Sequence, residues 1–409
     1  MVRRMNAAGS KWTRGTWYDG MKLDPRQDSV FSTRDETLHA DMRSKEIGGY
    51  NGRDIDTLEP DLDACITDLM ELIRHSYHES VLDLAETARY FTLDVLSTVA
   101  FGRPFGFMAT NSDLWSYGKT NADFMPFIEL VVNHPTMQWL VATPLMQMLA
   151  APKVTDKTGM GPALGFARKP VAERYDHLKQ SQRKDMLDHF IKKGLTQLQC
   201  ESEANLQIIA GSDSTTTILR CTLFSLIANP VAYGKLRTEI DRAADAGHLS
   251  CPVTTYAEAQ RLPYLTAVLW EGIRMFPPLF GLKSKLAPPG GDTFKGVFYP
   301  EGTEVGLCDA SMTRNKAMFG QDSHFFRPER WLEADAARRI AYRRTVESIF
   351  GTGRFQCLGR HIAMMELFKT IVELLRKFDW SIADPFAGVQ ARSNAVVIHR
   401  GMNVIARAR

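Results

Sequence analysis

One cysteine sits where its neighbours make chemistry plausible. In "SIFGTGRFQCLGRHIAMMELF", Ser348 to Phe368, Cys357 follows Gly351 and Gly353, precedes Gly359, and opens onto an apolar helical pattern. A thiolate there would meet the N–H groups of Leu358 and Gly359, which have no partner inside the helix they start. The positive end of the helix dipole favours an anion, so the thiol pKa is expected to fall. The three glycines permit tight turns and let a flat group approach the backbone. Arg354 brings positive charge towards any acidic edge of that group.

Such an arrangement suits a haem iron held by one proximal sulfur, which needs no second protein ligand. A buried structural cysteine in a glycine-rich turn is the plain alternative. A nucleophilic cysteine is a third, but no His–Asn/Asp partner stands close in the sequence, and His361 alone proves little.

A second segment, "AGSDSTTT" from Ala210 to Thr217, places Gly211 inside a strong helical pattern. Glycine there costs about 1 kcal/mol against alanine, which a cofactor face pressing on the backbone would justify. Asp213, Ser214 and Thr215 are polar in an apolar helix and need partners if buried. A hydroxyl that donates to bound oxygen, beside an acid in contact with water, would supply protons. The bland reading is a packed helix whose hydroxyls bond back to the carbonyls four residues earlier.

Glu271 and Arg274, three apart on one helical face, and Arg330 in "FRPERW" form a third set. A buried network of these three charges would fasten the coil before the cysteine loop to the core. It would be structural, and costly unless complete.

The elements that must hold these groups are mostly helical. In "DIDTLEPDLDACITDLMELIRHSY", Leu58, Leu62, Cys65, Ile66, Leu69 and Ile73 fall on one face. "VLDLAETARYFTLDVLSTVAFG" is a second long helix, stopped by Gly102. A short helix is expected near "DETLHADMRSKEI", and proline-interrupted helices over 112–150. "KVTDKTGMGPALG" reads as a loop. A short helix and then a very long buried one fill 184–228. "PVAYGKLRTEIDRAAD" and "YAEAQRLPYLTAVLWEGIRMF" each read as one helix, and 320–347 as aromatic, basic coil. Small strands are expected between 281 and 310 and in "NAVVIHRGMNVIAR".

The fold class is therefore mainly α with small β sheets. It is read as one domain over 1–409, with an irregular start (1–35), a long central helix (201–229), and the cysteine loop with its helix (348–378). The chain's 409 residues allow a sizeable core. A net charge of +3 makes no case for nucleic acid. Six scattered cysteines lack zinc spacing and fit a reducing compartment. The most apolar stretch, "FIELVVNHPTMQWLVATPLMQMLAA", is broken by Asn133, His134, Pro135 and Gln138 and makes a poor membrane span. A monomer is expected.

With these residues in view the chain resembles a cytochrome P450, in particular the fungal microsomal type of secondary metabolism. "FGTGRFQCLG" is similar to the family's haem loop, "AGSDST" to its oxygen-activating helix, "EGIR" to its Glu-x-x-Arg, and "PERW" to its meander arginine. The resemblance implies haem b bound through a Cys357 thiolate in a loop headed by Phe350. It implies Gly211 against the cofactor, Asp213 and Ser214 near bound oxygen, Thr215 behind them, and Glu271, Arg274 and Arg330 as the structural network. His39 and Arg43, one turn apart, resemble a propionate-contacting pair, and Lys285 takes the place of a propionate-binding arginine, without that residue's planar fork.

It further implies a monooxygenase that inserts one oxygen atom from O2 into an apolar small molecule, such as a terpenoid, polyketide or alkaloid intermediate. Electrons would come from an NADPH-dependent reductase, docked near Arg360, Lys369 and Arg376, at the cytosolic face of the endoplasmic reticulum. Phe124, Met125, Phe127, Ile128 and Met137 are candidates to line the substrate pocket, or plain core.

Three departures stand out. The family's arginine two residues before the cysteine is Phe355 here. The threonine after the helix acid is Ser214, which keeps the hydroxyl and loses a methyl. The match also begins late, so the family's membrane anchor, N-terminal sheet and distal cap are expected to be missing. The alternatives are a haem-thiolate isomerase, dehydratase or peroxide-driven enzyme, which would consume no reductant, and an inactive remnant, which would not hold haem.

Overall fold

The computed structural model describes residues 1–52, 55–143, 145–146, 152–176 and 184–409. Residues 144 and 147–150 of the proline-interrupted stretch lie outside them.

The chain enters through strand β1 (Thr13–Arg14) and helix α1 (Glu36–Tyr50), whose first turn is capped by Asp35 accepting from the Thr37 and Leu38 amides. Helix α2 (Leu58–Ser76) buries the six apolar residues that its spacing placed on one face. After strand β2 (Val81–Asp83), Asp83 caps α3 (Leu84–Phe101), and Gly102, at φ +82°, ends it in the left-handed conformation. Helices α4 (Tyr117–Asn133), α5 (Pro135–Val141) and α6 (Met160–Asp176) follow. Then α7 (Met186–Lys192) leads to the central helix α8 (Gln197–Ile227), which starts from a reciprocal Thr196–Gln199 capping box.

Helix α8 is buried along most of its 31 residues and packs against α3, α6, α7 and three later helices: α9 (Pro230–Asp245), α10 (Pro263–Met275) and α12 (Arg360–Lys377). Helix α11 (Ala336–Glu347) precedes the cysteine loop. The strands are few and short. β1 pairs with β3 (Lys285–Leu286), and β3 with β6 (Glu304–Val305). β4 (Asp292–Phe294) and β5 (Val297–Tyr299) form a hairpin. β10 (Asn403–Ala408) lies between β2 and β7 (Phe378–Ile382), and β8 (Gln390–Asn394) pairs with β9 (Val396–Arg400). Each of these strand pairings is antiparallel.

Several expectations are corrected. The loop expected over 153–165 turns helical at Met160, because Pro162 falls in the first turn, where no amide partner is needed. The segment 256–276 is two helices, since Pro263 starts a new one after the short Tyr256–Ala259 turn. Residues 336–347 are helix: Asp335 caps the end by accepting from the Arg338 amide, and Tyr342 and Val346 bury one face. The start over 1–35 is not wholly irregular, since Thr13–Arg14 joins the β3–β6 sheet. Among the described residues, no helix is long and apolar enough to cross a membrane.

Candidate active site

Helix α12 begins directly after Gly359 and has no side-chain cap. The amides of Gly359 and Arg360 instead lie near the Cys357 sulfur and favour its anion, and Arg43 and Arg360 add positive charge near it. The free N–H groups of a helix start are thereby aimed at sulfur. The loop that presents it is closed by the Cys357 amide, which donates to the Phe350 carbonyl at 2.6 Å. Gly351 (φ +72°) and Gly353 (φ +58°) are required: a Cβ would lie 2.4 Å from the Phe355 carbonyl oxygen and 2.1 Å from that of Asn6. Gly359 is not required in this way, since its Cβ would meet only the Cys357 sulfur, at 3.9 Å.

Cys357 is crowded by surrounding atoms and yet keeps accessible surface. Burial is the largest influence and raises the thiol pKa despite the amides and arginines. This corrects the expected net fall. A metal cation at the sulfur would reverse it, because a coordinated thiol loses its proton outright.

Five basic side chains gather around Phe355. Its ring lies 3.5 Å from Lys285 Nζ, 4.9 Å from the Arg14 guanidinium, 4.8 Å from that of Arg354, and 5.2 Å from the His39 ring. Arg43 Nη1 donates to the Gln356 carbonyl at 2.7 Å. Burial, with Arg14, Arg43, Lys285 and Arg354 close by, holds His39 down to about 3. Burial and then Arg14 bring Lys285 down to about 6, against a smaller opposing pull from Glu36. Arg354 turns from the sulfur towards the chain start, donating to the Trp12 carbonyl and standing 3.5 Å from Glu36.

The polar stretch of α8 divides. Asp213 is buried and accepts from Asn121 Nδ2 of α4 at 2.5 Å. The Ser214 hydroxyl donates to the Ala210 carbonyl at 2.6 Å, the back-bonding pattern of the bland reading. Thr215 is buried. Ala210, Gly211 and Ser214 nevertheless keep accessible surface in a helix otherwise almost wholly buried. Gly211 has a packing reason besides any cofactor: its Cβ would lie 2.9 Å from Leu96 of α3. The cysteine loop and α8 are neighbours, for Leu358 packs on the apolar cluster of Val30, Met42 and Leu206.

The acid–arginine network is complete. Glu271 receives both Arg274 Nε and Nη2 at 2.8 Å, Arg330 Nε at 2.9 Å, Trp331 Nε1 at 3.0 Å and the Arg327 amide at 2.8 Å. The remaining guanidinium hydrogens reach the carbonyls of Thr313, Ser323 and Phe319.

Among the pocket candidates, Met125 is buried, and Ile128 packs on the Trp17, Tyr18 and Val132 cluster. Among the docking candidates, Lys369 is withdrawn. It is fully buried, with Nζ 2.6 Å from Glu59 and 2.5 Å from Asp63. Arg14 and Asn121 were not singled out from the sequence; neither carries motif spacing. Trp331 ends the quoted "PERW" but was given no role, because its contact with Glu271 joins residues 60 apart.

A helix-rich fold with one sulfur at a helix start, a ring of cations beside it and open surface on the facing long helix defines a protein built for a flat, acidic, metal-bearing cofactor. The comparisons agree. The cytochrome P450 family model matches residues 14–398. The chain is 38% identical over 410 residues to cytochrome P450 monooxygenase ABA1 of Pyricularia oryzae, an alignment covering 98% of this chain and 80% of that one. It is 34% identical to monooxygenase aba1 of Botryotinia fuckeliana, covering 99% and 80%, and 34% identical to monooxygenase abl1 of Leptosphaeria maculans, covering 97% and 72%. The chain belongs to the cytochrome P450 family. It is an oxidoreductase acting on an organic substrate, and its cofactor is haem b on an axial cysteine thiolate.

The residues present fit that cofactor. Lys285 Nζ and Arg14 Nε are buried without a hydrogen-bond partner, as groups awaiting an anion would be. The sulfur already has amide donors and open surface.

Proposed function

We propose that this chain is a haem-thiolate monooxygenase whose axial ligand is Cys357. Its overall reaction takes an apolar substrate RH, O2, two electrons and two protons to ROH and water. The observation that carries the assignment is the pair of helix-start amides, Gly359 and Arg360, directed at the Cys357 sulfur in place of a side-chain cap. Haem, when bound, supplies the oxygen activation; the protein supplies ligand, protons, orientation and exclusion of water.

Asp213 is the proton-handling acid on this reading. It is buried on α8 one residue before the accessible Ser214, and Asn121 fixes its carboxylate. Ser214 presents its oxygen to the open side while its hydrogen serves Ala210. Thr215 is the buried residue behind them. Glu271, Arg274 and Arg330 hold the approach to the loop. Gly211 and Phe350 would flank the cofactor, and His39, Arg43, Lys285 and Arg354 would hold its acidic edge. The substrate class proposed is a fungal secondary-metabolite intermediate of terpenoid, polyketide or alkaloid type. The electron donor is an NADPH-dependent reductase approaching past Arg360 and Arg376 at the cytosolic face of the endoplasmic reticulum.

The test is the absorption spectrum of the purified chain, reduced and exposed to carbon monoxide. A strongly red-shifted Soret band is expected, and it should be absent in Cys357→Ala. Persistence of the band in that variant removes Cys357 as ligand. Product formation without oxygen or reductant consumption would turn the assignment to an isomerase or dehydratase.

A further inference from the structure

We propose that Arg14, paired with Lys285 across the β1–β3 ladder, binds the haem carboxylates in place of the arginine that Phe355 displaces from the cysteine loop. This rests on the haem reading above.

The sequence leaves a gap in charge at position 355, and the fold brings cations from elsewhere to the same place. Arg14 and Lys285 are register partners on antiparallel strands. They are 4% and 1% exposed. Both stand over the Phe355 ring, at 4.9 and 3.5 Å, and both stand 4.9 Å from the Tyr18 ring. Like charges directly opposite on neighbouring strands repel, and burial makes each more costly. Two aromatic faces offset part of that cost.

No described carboxylate forms an ion pair with either residue. Glu36, the acid that acts on both, stands 3.5 Å from Arg354 instead. Arg14 is already oriented. Its Nη1 donates to the carbonyls of Val30 at 2.9 Å and Thr33 at 2.6 Å, while its Nε has no partner. Lys285 Nζ has none either. A guanidinium fixed at one nitrogen, beside an unpartnered lysine amino group that a carboxylate would charge, suits a carboxylate pair better than a single charge, and haem b carries two carboxylates. Phe355 then serves as the platform on which the imported cations rest.

The experiment compares haem b with its dimethyl ester, which lacks the negative charges. Loss of each from the purified chain to excess apomyoglobin is followed at the Soret band in wild type, Arg14→Gln, Lys285→Met and Arg14→Gln/Phe355→Arg. Removing one charge-assisted contact should speed haem loss about tenfold or more and leave ester loss within about twofold. Arginine at 355 should restore retention.

Lys285→Met tests the same claim without risking the Arg14 anchors. It should raise the thermal midpoint of the haem-free chain, by removing a buried amino group that has no hydrogen-bond partner, while haem leaves faster. Equal effects on haem and ester, or none, overturn the proposal and leave the Cys357 assignment standing. A wild-type chain that takes up neither ligand overturns both.

Discussion

Glu271 and Arg330 are joined at 2.9 Å, although 59 residues separate them, and neither side chain is more than 1% exposed. That contact fixes the segment before the cysteine loop to α10. Glu271 and Asp322, the latter 3.1 Å from Arg330, balance the two arginines, so removing Glu271 or Arg330 leaves a buried charge without its partner. Glu271→Gln is expected to cost about 3–5 kcal/mol, and Arg330→Met a similar amount. Denaturant unfolding of the haem-free chain measures this; a loss under about 1 kcal/mol would contradict the network's structural role.

Asp213→Asn should keep the fold and impair proton supply. Product formation is expected to drop about 100-fold, the usual scale of a positioned acid or base. Oxygen consumed per product should rise, with the difference recovered as hydrogen peroxide. An unchanged ratio would take Asp213 out of proton delivery.

Burial lowers Lys285 in the folded chain from 10.5 to about 6, with Arg14, Arg354 and Lys283 adding to the effect and Glu36 opposing it. Between those values the unfolded chain holds a proton that the folded chain lacks. The stability of the haem-free chain therefore rises with pH across that window, from this group, and the penalty is fully present below about 6. A carboxylate placed beside Lys285 raises its pKa, so this residue should take up close to one proton when haem binds near pH 7.5, while ligation releases the Cys357 thiol proton. Calorimetry in two buffers of different ionisation enthalpy should therefore find about one proton more taken up by wild type than by Lys285→Met, and equal proton counts would refute it.

Lys369 was a docking candidate in the sequence and is an internal ion-pair residue in the fold. Lys369→Met should lower stability by about 1–2 kcal/mol, because Glu59 and Asp63 lose their shared partner but stay about a third exposed and keep water. The reductase concentration for half-maximal turnover should not move. A several-fold rise in that concentration, with stability intact, would return Lys369 to the docking surface.

The helical framework was legible because amphipathic spacing is local. Leu58 through Ile73 share a face whatever they pack on, and the whole of that face is buried. The misread segments were those where composition and local rule conflict. Arginines made 336–347 look like coil, but an Asp335 cap and two apolar residues four apart suffice for a helix. The segment 256–276 reads as one helix, yet Pro263 starts a second one, because a proline without an amide hydrogen is tolerated in a first turn.

The sequence alone determined which residues have the right chemistry: the cysteine with its glycines, the acid and hydroxyls of α8, and the Glu271, Arg274 and Arg330 set. Those signals survive because each is written in neighbouring positions. Only the tertiary structure decided that Lys369 is inside, that Asn121 holds Asp213, and that Arg14 and Lys285 converge on Phe355. These pairings join segments far apart in the chain, and burial, which sets both their cost and their charge, has no signature in a local string of residues.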